Sequence, residues 1–174
     1  MRIIGIDPGY AIVGYGVLDY AGNKFGVVDY GAVTTPAGMP FTQRLDRIYD
    51  ELEVLLKQYR PEYMALEKLF FTTNQKTAID VAQARGVIQL CAVKYGVGVA
   101  EYTPLQVKSS VVGYGKAEKK QVQAMTKTLL NLDSVPKPDD TADALAIAIC
   151  HAHSAYSGMG MAKLIAQAQA QSKW

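Results

Sequence analysis

Long apolar runs are missing from this sequence. No stretch is long enough to span a bilayer, and the N-terminus, MRIIGIDPGY, holds no apolar segment of signal-peptide length. The expectation is a cytoplasmic protein with no membrane partner. Cysteine is scarce too. Cys91 and Cys150 have neither metal-ligand spacing nor the density of a disulfide scaffold, and both sit in apolar, helix-like stretches (IQLCAVK and IAICHAH), where a thiol packs as a small hydrophobe. The two histidines, His151 and His153, point to different faces of a helix, which argues against a shared metal. Repeats, linkers and low-complexity blocks are absent. With 49% hydrophobic side chains, the 174 residues read as one ordered domain, which excludes a disordered chain.

Excess charge is also lacking, since a net +2 does not by itself predict nucleic-acid binding. Its distribution is more informative. Residues 104–128 hold Lys108, Lys116, Lys119, Lys120 and Lys127 against Glu118 alone, on a mildly acidic body. Such a segment can hold a polyanion, or it can be a solvated helix face.

Residues 2–8 read as a strand ended by the turn signal Pro8-Gly9. Residues 11–20 and 24–34 read as two more, joined through Ala21-Gly22-Asn23, and such short links favour three antiparallel neighbours. The period then changes. Phe41, Leu45, Ile48, Tyr49, Leu52, Leu55, Leu56 and Tyr59 recur at steps of three and four, predicting an amphipathic helix over 41–59 that Arg60-Pro61 stops. A fourth strand over 62–68 precedes a helix over 76–95, which is apolar on more than one face and is expected to be buried on two sides. A fifth strand over 97–103 leads to Pro104 at a helix start. A basic amphipathic helix follows over 118–131, then an Ala-rich helix over 140–154. The order, βββαβαβαα, predicts an α/β domain over residues 1–155: a five-stranded mixed sheet with helices on both faces. Residues 156–174 read as a loose helix or a flexible tail.

Four carboxylates stand out against this pattern. Asp7 follows Ile3, Ile4 and Ile6 in a strand that reads as buried, where a carboxylate is costly unless paired, bound to a cation or capping the Pro8-Gly9 turn. Glu67 lies near the end of the fourth strand, where it either points into a site or pairs with Lys68. Asp140 and Asp143 share one helix face at i, i+3, and the backbone dipole at a helix start is an alternative reason for Asp140. It suffices for Asp139. Were the first and fourth strands neighbours, these acids would converge, and hard divalent cations are the usual remedy for their mutual repulsion. Two such ions about 4 Å apart can activate water and stabilise a leaving oxygen in phosphodiester cleavage.

Four segments follow one another at telling spacing: IGIDPGYAIVGYGVLD, ALEKLFFTTNQKTAIDVAQARGVI, QVKSSVVGYGKAEKKQVQAM and DDTADALAIAICHAH. Over residues 1 to about 155 the sequence thereby resembles the bacterial RuvC Holliday-junction resolvases. The resemblance implies a ribonuclease H-like fold and a crossover junction endodeoxyribonuclease. It implies that Asp7, Glu67, Asp140 and Asp143 hold two Mg²⁺ ions, with Mn²⁺ as a substitute. It also implies that Lys108 and Lys119 contact DNA phosphates, with Lys119 assisting catalysis, and that Lys116 and Lys120 belong to the same DNA-binding region. Phe70 matches an aromatic that distorts the junction near its crossover, where stacking on an exposed base suits it; a core or interface Phe is the alternative. The family acts as a homodimer on four-way junction DNA, beside a branch-migration motor of RuvA and RuvB. This sequence departs from the family at Lys68, where Gln or Glu is expected.

Three rival readings follow from the same residues. A D-x-G strand–turn–strand also opens the phosphate-binding hairpin of actin-like ATPases and sugar kinases, but those need two such domains. A junction-binding scaffold without cleavage would not need all four acids. A ribonuclease H-like enzyme acting on RNA would share the acids, and the lysine-rich segment with Phe70 favours junction DNA.

Overall fold

The computed structural model describes residues 1–68 and 75–156. Phe70 and residues 157–174, nearly all of the expected tail, lie outside the described residues. Five strands form one sheet: β1 (Arg2–Asp7), β2 (Ile12–Ala21), β3 (Lys24–Thr34), β4 (Tyr63–Glu67) and β5 (Gly98–Tyr102). Their spatial order is β3-β2-β1-β4-β5. β1, β2 and β3 run antiparallel, as their short links require, whereas β1, β4 and β5 are parallel and need helical crossovers. The helices are α1 (Phe41–Tyr59), α2 (Gln75–Lys94), α3 (Pro104–Val112), α4 (Lys119–Leu129) and α5 (Asp139–Tyr156). α3 adds one helix to the expected order. It starts at Pro104 behind a Thr103 capping box, in which Thr103 Oγ1 accepts from the Gln106 amide at 3.1 Å.

Alternation along the strands sorts side chains into two cores. Ile4, Ile6, Val13, Val17, Met64 and Leu66 pack against Ile48, Leu52 and Leu56 of α1 and Ala84, Ile88 and Cys91 of α2. Ile3, Leu18, Ala65, Ala100 and Tyr102 pack on the other face against Leu145, Ala148, Ile149 and Cys150 of α5. Both cysteines are free and buried, as expected. Among the described residues of the single chain, burial of α2 on two sides is not found. Ile79, Leu90 and Val93 are 59%, 53% and 66% exposed, because α1 and the sheet cover only one face of that helix.

Small residues decide how closely α5 lies on the sheet. A Cβ at Gly5 would stand 2.1 Å from the Ala144 carbonyl oxygen, and one at Gly14 would stand 2.1 Å from that of Asp140. Gly14 is the cross-strand partner of Asp7, so it presses the start of α5 against the end of β1. Gly14→Ala should therefore push the helix start outward, costing about 1–3 kcal/mol by overpacking. Denaturant unfolding checks this against Gly26→Ala, whose Cβ would meet nothing nearer than 3.8 Å and should be close to neutral.

Candidate active site

Asp7 and Glu67 end adjacent parallel strands. Ile6 pairs with Leu66, and alternation turns the next residue of each strand to the α5 face. From these ends the chain leaves β1 toward β2 and β4 toward β5, in opposite directions across the sheet. Connections that part in this way leave a crevice at the carboxyl ends of the strands, the usual ligand position in open α/β sheets. The first turn of α5, carrying Asp140, closes the crevice, with Asp143 one turn further in.

Electrostatics ties the four acids together. Burial, with the charges of Asp143, Glu67 and Asp140, pushes the Asp7 carboxyl up to about 7 against the pull of Lys119. Glu67 is raised by burial and by Asp143, opposed by Lys108 and Lys119. Asp143 is raised mainly by burial, although Lys119 hydrogen-bonds it. The Lys119 ammonium stands 2.7 Å from Asp143 Oδ2 and 4.0 Å from Asp139 Oδ2. Burial disfavours its charge, but the Asp143 bond and the surrounding acids outweigh that and raise its pKa. Asp139 is different, being held low by Lys137 at 2.6 Å on the surface.

A cleft of about 260 Å³ runs beside the acids, with Glu67, Lys108, Lys119 and Asp143 as its polar wall and Pro104, Val107, Val122, Ala146 and Ile147 as its floor. The structure thus brings together Asp7, Glu67, Asp140, Asp143, Lys108 and Lys119. Lys116 and Lys120 are exposed, line no part of this cleft and form no ion pair among the described residues. The apolar floor escaped the sequence reading, since its residues carry the same signal as core positions. Gly14 did carry a signal, a glycine inside a strand pattern.

An all-carboxylate donor set suits a hard divalent cation such as Mg²⁺. Among the described residues, however, no three acids, histidines or cysteines stand within reach of one ion in this arrangement. The cation at Asp143 is Lys119. A metal would have to displace that ammonium and draw the carboxylates inward. Lys119→Met should accordingly destabilise the metal-free protein at pH 8, by no more than about 1 kcal/mol because Lys119 is over half exposed. Thermal melts with and without Mg²⁺ check this: the loss should shrink when the ion supplies the missing positive charge.

Residues 3–151 match the family model described as Crossover junction endodeoxyribonuclease RuvC. The chain belongs to the RuvC family. A RuvC of Ruminiclostridium cellulolyticum is 60% identical over 146 residues, which cover 84% of this chain and 88% of that protein. One of Brevibacillus brevis is 59% identical over 145 residues, 83% of this chain and 87% of its own. The Thermus thermophilus RuvC structure superposes with a TM-score of 0.85 at 37% identity, covering 91% of this chain and 97% of that one. The same protein in complex with a Holliday junction substrate gives 0.83 at 34% identity, with the same coverage. The expected ribonuclease H-like α/β fold, with its first three strands antiparallel, is therefore the fold of this RuvC family member.

Proposed function

We propose that this chain resolves four-way DNA junctions by paired, symmetric nicks, giving ligatable 5′-phosphate and 3′-hydroxyl ends in recombination and repair. One observation carries the reading: buried, mutually repelling carboxylates at the ends of β1, β4 and the start of α5, beside two lysines at an open cleft. Structural acids are usually matched by cations or turned fully to water; these four half-buried acids share the one close ammonium, Lys119 on Asp143.

Asp7, Glu67, Asp140 and Asp143 would hold two Mg²⁺ ions. Bound there, the metal supplies Lewis-acid activation of water and stabilisation of the leaving oxygen. The other tasks fall to the chain's own residues. Lys119, released from Asp143, offsets the charge that grows on the phosphate during in-line attack. Lys108 holds the approaching strand, and the floor built by Val107 and Val122 limits the access of bulk water. A homodimer would carry one such site per subunit, matching the pseudo-twofold symmetry of a four-way junction. The exposed apolar face of α2 supports this assembly. Its setting would be the cytoplasm, alongside a branch-migration motor of RuvA and RuvB.

Cleavage of a labelled synthetic four-way junction with Mg²⁺, beside duplex DNA and an RNA–DNA hybrid, tests the reading. Paired nicks confined to the junction are expected. Junction binding without cutting would leave a scaffold, and cutting of the hybrid alone would move the protein to RNA processing.

A further inference from the structure

The lysines of the cleft all lie on the α3–α5 side of the sheet. The opposite side of the same sheet end holds a cation of another kind. Arg44, at the end of the first turn of α1, donates through Nε to the Met39 carbonyl at 3.0 Å and through Nη1 to Thr35 Oγ1 at 3.3 Å. Its guanidinium lies over the Tyr10 ring at 5.6 Å from the centroid, and Phe41 meets that ring edge-on at 6.1 Å. Thr35 in turn donates to the Tyr10 carbonyl at 2.8 Å. Tyr10 belongs to the short connection that leaves β1 directly after Asp7. A chain of contacts therefore fixes Arg44 to the backbone that carries Asp7.

Two features distinguish this arginine from an ordinary surface cation. It forms no ion pair with any carboxylate among the described residues, whereas Arg2, Arg47 and Arg85 each hold one, on Asp19, Glu51 and Glu101; Arg60 also lacks one there, but it is exposed at the end of α1. Its side chain is also only half exposed and held in one orientation by three contacts, so little rotamer entropy is left to lose on binding an anion. A planar fork with N–H groups to spare, on an aromatic ring, is suited to a phosphate oxygen pair.

We propose that Arg44, backed by Tyr10, binds a backbone phosphodiester of the DNA strand entering the site from the α1 side. The lysines and this arginine would then grip the strand from both faces of the sheet. The proposal rests on the nuclease reading and adds a contact to it.

Binding of the full chain to a fluorescent four-way junction, measured by anisotropy in EDTA over a range of salt, tests it. Arg44→Gln should weaken binding uniformly across junction sequences and make the slope of log K against log salt shallower by about 0.9, the value for one lost phosphate contact. Arg44→Lys should restore most of the slope. Arg47→Gln, the same charge change three residues further along α1, should leave it nearly unaltered. A slope in Arg44→Gln equal to that of Arg47→Gln, or a lower melting temperature with an unchanged slope, would overturn the proposal and reduce Arg44 to a loop tie. Cleavage by the wild type in Mg²⁺, run in parallel, reports separately on the nuclease reading.

Discussion

Asp7→Asn is expected to cut junction cleavage severely while making the metal-free protein more stable above pH 7. Both effects come from the environment of one carboxyl. Burial and the neighbouring acids raise its pKa from 3.8 to about 7. Below pH 3.8 the group is protonated both folded and unfolded, so it costs nothing. As pH rises the unfolded chain releases the proton first, and the native state loses stability until the native carboxyl is also ionised. Above pH 7 the loss is complete, at about 4 kcal/mol. Asn carries no charge, so the variant should recover much of that at pH 8 and almost none at pH 4. Urea unfolding in EDTA at the two pH values checks the stability arm. The cleavage arm should show a loss of roughly a thousandfold, comparable to the upper range for losing one element of electrostatic stabilisation at a reacting centre, because the variant loses a ligand of the metal that would supply it. Mg²⁺ should raise the melting temperature of the wild type at pH 8 far more than that of the variant. A variant no more stable at pH 8 than the wild type would mean that Asp7 is not held among repelling charges, and the site would lose its rationale.

His151 should produce a pH dependence of opposite sign in an overlapping window. The imidazole is fully buried, its Nδ1 lies 2.8 Å from the Tyr102 hydroxyl, and its Nε2 has no hydrogen-bond partner among the described residues. The Tyr63 ring packs against it, tilted by 40°, with the centroids 4.8 Å apart. Burial pulls its pKa down from 6.5 to about 4. Above pH 6.5 the ring is neutral in both states. As pH falls the unfolded chain takes up a proton that the native ring refuses, and by pH 4 this costs about 3 kcal/mol. His151→Gln keeps a carbonyl that can accept from Tyr102 but does not titrate. The variant should be the less stable protein at pH 8, through poorer packing, and the gap should narrow by about 3 kcal/mol on going to pH 4. Over much of this range the wild type loses stability through His151 while it gains through Asp7. Its own pH profile should therefore look flat, and only differences between variant and wild type separate the two groups. A gap that stays constant between pH 8 and pH 4 would place a charged or solvated imidazole in the native core.

The helical period at Phe41–Tyr59 made α1 legible to the residue, and alternation with turn signals made β1, β2 and β3 legible to within a residue or two. Cys91 and Cys150 were legible as core thiols because apolar neighbours leave a thiol little else to do. His151 and His153 found separate partners, Tyr102 and Ser110, as their opposed helical positions implied. The second apolar face of α2 was legible, but what covers it was not, because such a face looks the same in sequence whether a neighbouring element or another molecule covers it. The cleft floor at Val107, Val122 and Ile147 was hidden for a related reason, since a residue lining a pocket and a residue filling a core share one chemistry.

What the sequence by itself determined was local: which residues alternate, which repeat at helical period, and which four acids sit where a carboxylate is costly. That is possible because periodicity and turn chemistry act between residues a few positions apart. Tertiary structure alone decided that β1 and β4 are parallel neighbours, so that Asp7 and Glu67 meet, and that Gly14 lets Asp140 approach them. It also set Lys119 on Asp143 and placed Arg44 on the far side of the same sheet end. These are pairings across tens of residues, fixed by which faces must be buried together, and no short-range pattern in the chain encodes them.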